Sequence, residues 1–190
     1  MDVYRVEPTL TGVAVLMFAR DDLEPEAWEF AVEGVDALTI PQVVIDRSDG
    51  AEADFIGLVG ASTVFAAAPE VLDGLPELTA WCESFPLEVV PVASRLDLIV
   101  TSRLIDCLDP TASGISQDPF DLSFAIPERY VFERTSLPAD GLFRIPQTES
   151  VDLFLVENRG GPSLRTRVQE RELRGLDFQL MWSTEETSQC

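Results

Sequence analysis

Hydrophobic residues come along this chain in short runs broken by proline, glycine and acidic side chains, a pattern that predicts many brief elements and no long one. Val13 to Phe18 is β-branched and apolar enough for a strand buried on both faces. Glu24 to Val35 has helical spacing instead: Pro25 suits a first helical position, Trp28, Ala31, Val32 and Val35 share one face, and Gly34 lies close to a stop. The opposite face carries Glu26, Glu29 and Glu33 with no lysine to neutralise them, which costs helix stability. Gln42 to Ile45 is a short strand candidate, and Asp46 to Asp54 reads as a polar loop. Phe55 to Ala68 is fourteen uncharged residues interrupted by Gly57 and Gly60. That run is too short for a bilayer span of about twenty, so it belongs in the core.

Pro69 to Gly74 predicts one helical turn and Pro76 to Phe85 a second short helix, with Leu78, Trp81, Cys82 and Phe85 on one face. Pro86 then forces extension; Leu87 to Val92 reads as a strand whose Pro91 implies an edge or a bulge, and Leu96 to Val100 reads as another. Leu104 to Leu108 continues the ladder until Asp109 and Pro110 turn the chain into a loop from Thr111 to Asp121. Tyr130 to Arg134, Leu142 to Ile145 and Asp152 to Val156 are further strand candidates. Ser163 is placed to cap a helix from Leu164 to Arg174, Gly175 to end it in a left-handed conformation, and Leu176 to Met181 to return as a final strand. Short strands mixed irregularly with short helices predict an α+β fold, a mixed and mostly antiparallel sheet with several short helices.

A chain of 190 residues that is 46% hydrophobic has the material for a core, which argues against intrinsic disorder. Its 13 basic residues are all arginine, and histidine is also absent. Nucleophile systems that need imidazole are thereby excluded, as are the usual nitrogen ligand of zinc, a lysine Schiff base and a P-loop ammonium. Carboxylate pairs with or without a hard cation, cysteine thiolates and plain binding survive, and the balance favours binding without catalysis or cofactor. The net charge is −21 and unevenly spread: residues 1–90 hold 18 acidic and 3 basic residues, residues 91–190 hold 16 and 10. Such a field repels nucleic acid and anionic membrane and attracts basic proteins. Acidity that merely serves solubility, or reflects the composition of the host proteome, is the alternative. Cys82, Cys107 and Cys190 form neither a disulfide framework nor a metal knuckle, and the apolar stretch Gly12 to Ala19 is too short for a convincing signal peptide. A reduced, cytoplasmic setting is expected.

Few constellations could carry chemistry. Asp106 and Asp109 flank Cys107 at a strand end, where paired carboxylates could hold a hard cation or act as an acid and base; equally, Asp109 could cap the turn before Pro110 with Cys107 in the core. Gly57, Gly60, Ser62 and Thr63 imitate a phosphate loop without its lysine or spacing. Arg167, Arg171 and Arg174 share a face near the end of the last helix, with Glu170 placed to pair with Arg174, a stabilised surface helix or an anion-reading patch. The feature least explained by stability is the acidic run Asp21, Asp22, Glu24, Glu26, Glu29 and Glu33, whose natural partner is a basic protein surface.

From about Leu78 to Leu180 the order of motifs resembles a family of bacterial immunity proteins from polymorphic toxin systems, typed on a myxobacterial immunity protein and formerly a domain of unknown function. The motifs are Leu87-Glu88-Val89-Val90-Pro91-Val92, Ile105-Asp106-Cys107-Leu108-Asp109 followed by Ser113, Leu142-Phe143-Arg144-Ile145, and Leu173-Arg174-Gly175-Leu176-Asp177-Phe178. What the resemblance implies is a non-enzymatic antidote, held in the cytoplasm, that binds a cognate protein toxin delivered by neighbouring cells. The acid then has a use: Asp21 to Glu33 would cover a basic active surface such as a nuclease groove. A carboxylate-based metal-binding protein or hydrolase built on Asp106 and Asp109, and an adaptor or structural interaction protein, are the competing expectations. The organisation expected is an acidic α/β lobe over residues 1–77, an immunity-family-like α+β region over 78–182 and a flexible tail over 183–190, forming one compact unit.

Overall fold

Strand residues that alternate in direction bury both of their faces here, one set of side chains inside a barrel and the other between layers. The computed structural model of the chain describes residues 1–18, 42–46, 50–90, 95–115, 127–148, 151–158, 160 and 163–184. The strands are β1 (Asp2–Pro8), β2 (Val15–Phe18), β3 (Gln42–Asp46), β4 (Phe55–Leu58), β5 (Ala61–Ala67), β6 (Glu83–Val89), β7 (Leu96–Val100), β8 (Gly141–Phe143), β9 (Leu153–Glu157) and β10 (Leu176–Ser183). Three short helices accompany them, α1 (Pro69–Leu72), α2 (Pro76–Trp81) and α3 (Leu164–Glu170). Strands β2-β3-β6-β7-β5-β4 close into a barrel, and β10-β1-β9-β8 form a four-stranded antiparallel sheet. Pairing within the barrel is parallel only between β2 and β4, at Leu16 and Leu58, and between β3 and β6, at Val43 and Val89. The fold is α+β and mostly antiparallel. The two β structures divide the chain without regard to residue 77, since β1 joins the sheet of β8 to β10 while β6 and β7 complete the barrel.

Three apolar clusters follow from this arrangement. Leu16, Val43, Ile56, Leu58, Val64, Ala66, Leu96, Leu98 and Val100 fill the barrel with side chains, as a small barrel requires. Their sequence neighbours Phe55, Phe65, Ala67 and Ile99 point outward instead, against Val6, Leu142, Leu153, Leu155 and Leu176 of the sheet. Leu72, Leu75 and Leu78 from the helical excursion after β5, and Leu164 and Val168 from α3, close that middle layer. The far face of the sheet is covered by non-strand chain: Phe132 meets Phe143, Phe154 and Trp182 edge to face, with centroids 5.4 to 6.3 Å apart, beside Cys107, Leu108 and Leu137.

Gly175 joins the two β structures. Its φ is +106°, and a Cβ there would run into the backbone carbonyl of Phe55. Backbone bonds cross at this point, from the Asp54 and Phe55 N–H groups to the Arg174 carbonyl (3.1 and 2.9 Å) and from the Thr9 N–H to the Gly175 carbonyl (3.0 Å). Only a residue without a side chain permits so close an approach.

Strand β1 and the β4–β5 hairpin are not anticipated as elements by the hydrophobic pattern, and four of the expected elements differ from it. Helix α2 stops at Trp81 because Cys82 is extended (φ −127°, ψ 156°), which places Phe85 in β6 rather than on a helix face. Tyr130 to Arg134 is not a strand; Phe132 makes a single bridge to Leu108. Leu104 likewise makes one bridge, to Arg144, instead of continuing the ladder. Helix α3 ends at Glu170, capped by Ser163 as expected, whose Oγ accepts the Thr166 N–H at 3.0 Å. The left-handed residue that ends it is Glu172 (φ +55°), not Gly175. The Glu172 N–H donates to the Gln169 carbonyl and the Leu173 N–H to the Val168 carbonyl, a Schellman closure that turns Leu173 onto the middle core. The predicted helix from Glu24 to Val35, Pro91 and the tail from residue 185 lie outside the described residues.

Candidate functional site

The acidic run Asp21, Asp22, Glu24, Glu26, Glu29 and Glu33 falls within residues 19–41 and so lies outside the described residues. What is described is an acidic body next to it in sequence. From Ser48 to Ser94 the chain holds eight acidic residues and not one basic residue. This stretch supplies β4, β5, α1, α2 and β6, so it makes half of the barrel and the helical excursion. Glu52, Glu70, Asp73, Glu83 and Glu88 are all exposed on it. An open cleft of about 410 Å³ between the end of β1 and the start of β5 adds Glu7 and Asp177 beside Pro8, Leu10 and Ala61. Asp177 there accepts a hydrogen bond from the Thr9 hydroxyl at 2.8 Å.

The structure separates the two carboxylates around Cys107. Asp106 accepts the Gln147 side-chain N–H at 2.5 Å, while Asp109 accepts the Ala112 backbone N–H at 2.9 Å and so caps the turn after Pro110. Cys107 is buried in the aromatic cluster, and burial first, then the Asp106 and Glu133 carboxylates, push its thiol up to about 12. Burial does the same to Cys82, against the opposing pull of the Arg103 guanidinium. Both described thiols are therefore protonated, and neither is a nucleophile at neutral pH. Among the described residues no group of three or more acidic or thiol side chains is placed to hold a metal ion.

The arginine face is not a continuous patch. Arg167 alone of the three lies on α3, its Nε 3.2 Å from the Glu77 carboxylate of α2. Arg171 reaches across to Gly74, and Arg174, outside the helix, sits on the join at Asp54, whose carboxylate accepts its backbone N–H at 2.9 Å. The helical spacing expected between Glu170 and Arg174 is thus lost with the Schellman turn. Gly57, Gly60, Ser62 and Thr63 belong to the β4–β5 hairpin rather than to a strand-to-helix loop.

One polar group stands out that the sequence shows only as part of the motif Leu142-Phe143-Arg144-Ile145. Arg144, just beyond β8, is 4% exposed, and its Nε and Nη1 are shielded from solvent without an acceptor among the described residues. Its backbone is tied to the neighbouring segment, with its N–H donating to the Arg103 carbonyl at 2.8 Å and its carbonyl accepting from Ile105 at 2.9 Å. Burial lowers its affinity for its proton, and no carboxylate among the described residues offsets that. The signal available in the sequence was a single charge in the apolar run from Gly141 to Ile145. No helix of the described residues is long and apolar enough to cross a membrane. No protein-family model, curated protein or solved structure matches the chain.

Proposed function

We propose that this chain is an immunity protein, a non-catalytic antitoxin of the cytoplasm that binds a cognate bacterial toxin and covers its basic active surface. The observation that supports this reading is the uninterrupted acidity from Ser48 to Ser94, carried by a barrel whose interior is packed and whose exposed carboxylates have no local arginine in sequence to cancel them. A scaffold with so large an excess of one sign of charge, even with Arg167 against Glu77 and Arg171 against Gly74, is suited to steering a basic partner and to excluding that partner's anionic substrate. The protonated thiols and the separately engaged Asp106 and Asp109 favour this reading over a carboxylate-based alternative. A standard interface of about 1,600 Å² with a few anchor residues is enough for nanomolar affinity.

The test is association with the toxic domain that this reading expects to be encoded beside the chain. Stopped-flow mixing should give a complex whose association rate falls at least tenfold between about 0.01 and 0.3 M salt, as the screening length shrinks several-fold. The double variant Asp106→Asn, Asp109→Asn should neutralise the toxin as the parent does. Failure to form a complex at micromolar concentration, or turnover of a substrate by the isolated chain, would overturn the reading; a rate indifferent to salt would remove electrostatic steering from it.

A further inference from the structure

We propose that Arg144 is the centre of an oxyanion-binding site, which receives a carboxylate or phosphate oxygen of a ligand at the edge of the layer between barrel and sheet. A guanidinium offers five N–H donors in a planar fork that matches such oxygens, and an Arg that is only structural would ordinarily be paired. This one is 4% exposed, with two nitrogens lacking an acceptor among the described residues. Asp106, two residues beyond the bridge partner Leu104, is engaged otherwise and takes its hydrogen bond from Gln147.

The same short stretch leaves further groups open. The hydroxyl of Thr148 and the side-chain carbonyl of Gln147 are both buried atoms without a partner. Leu104, the bridge partner of Arg144, is 52% exposed, so the chain paired with Arg144 lies at the surface. Leu142, two residues before Arg144, lies in the apolar middle layer. That low-dielectric setting strengthens a charge-assisted hydrogen bond once it forms.

The experiment titrates the free protein with sodium phosphate, sulfate and acetate at a constant ionic strength of about 0.15 M, with chloride as the balancing ion, so that screening is fixed. The expected result is a saturable rise in Tm of about 3–5 °C at ten times the dissociation constant, with a matching shift of the Arg144 Nε–H resonance. Arg144→Met should lose the saturable rise, and Arg144→Lys should bind about tenfold more weakly because it keeps the charge without the fork. Saturation by phosphate and not acetate assigns the ligand to phosphates, and the reverse to carboxylates. A resonance that no oxyanion moves, or a rise undiminished in Arg144→Met, overturns the proposal. Either result is independent of toxin binding.

Discussion

Replacing Arg144 with methionine should make the free protein more stable, although it alters a fully packed position. In the parent, Nε and Nη1 are cut off from water with no acceptor in return, at a penalty of about 1–3 kcal/mol for each unsatisfied group. Methionine keeps a long unbranched stem in the layer and carries no donor. The volume it fails to fill is on the order of 10 Å³, which at ~24 cal/mol per Å³ is a loss of only about 0.2 kcal/mol. Net charge would move one unit beyond −21, a small long-range term at ordinary salt. The balance is a gain of about 2 kcal/mol, inside the ~1–4 kcal/mol found when buried charged groups give way to apolar ones. For a chain of this length that is a rise in Tm of about 4–8 °C.

Thermal melts and urea titrations of the two proteins measure this, with equal m-values showing that the unfolded states are comparable. Both belong in a chloride buffer, since phosphate or carboxylate would stabilise the parent selectively and hide the difference. A variant that melts several degrees lower would refute the reasoning. It would mean that the guanidinium is paired in the folded protein, where losing one member of a buried pair costs about 3–5 kcal/mol. A gain would instead fit a site that sacrifices stability for binding.

Two further perturbations test the frame around it. Gly175→Ala forces a side chain into a φ of +106° and against the Phe55 carbonyl; strain of about 1–3 kcal/mol plus overpacking of about 1–3 kcal/mol should lower Tm by roughly 10 °C, measured by circular dichroism. Cys107, whose thiol holds its proton up to about 12 when folded but only to 9.0 when exposed, makes the unfolded state the weaker proton binder across that interval. Its contribution is complete below pH 9 and is lost as pH rises, about 1 kcal/mol by pH 10. Cys107→Ala should therefore show a shallower alkaline decline in urea stability than the parent, and equal slopes would refute that origin.

Much of the fold was legible because the local pattern and the tertiary demand agreed. Leu96 to Val100 and Gln42 to Ile45 are apolar runs of strand length, and Ser163 is a cap with the right side chain. The β4–β5 hairpin was seen only as core, since Phe55 to Ala67 is buried on both faces and shows no period of two. Strand β1 left no such trace either: Val3 packs on the aromatic side of the sheet and Val6 on the barrel side, so its hydrophobic residues do not alternate in the simple sense. Barrel closure was invisible, because it depends on pairing β2 with β4 and β3 with β6 across long separations. The end of α3 was misread for a local reason, namely that glycine is the usual left-handed residue and here a glutamate takes the role while the glycine serves a close approach. Arg144 was legible as a residue but not as a site, since burial without a partner is a property of the folded molecule alone.

The same acidity should act in opposite directions on the free protein and on its encounter with a partner, and this separates a functional surface from a merely soluble one. A chain of this size has a radius of gyration of roughly 16 Å. At 0.01 M salt the screening length is about 30 Å, so carboxylates across the whole molecule repel one another; at 0.15 M it is about 8 Å, and only neighbours do. With a net charge of −21, salt should raise the Tm of the free protein by several degrees over that range, whatever the acid is for. A Tm that salt does not move would mean that the carboxylates on Glu52, Glu70, Asp73, Glu83 and Glu88 are neutralised locally. Acid kept for solubility predicts the rise in Tm and nothing more. Acid kept for a basic partner predicts, in addition, that the salt which steadies the free protein slows its capture of that partner, and only the second half of that pair speaks to function.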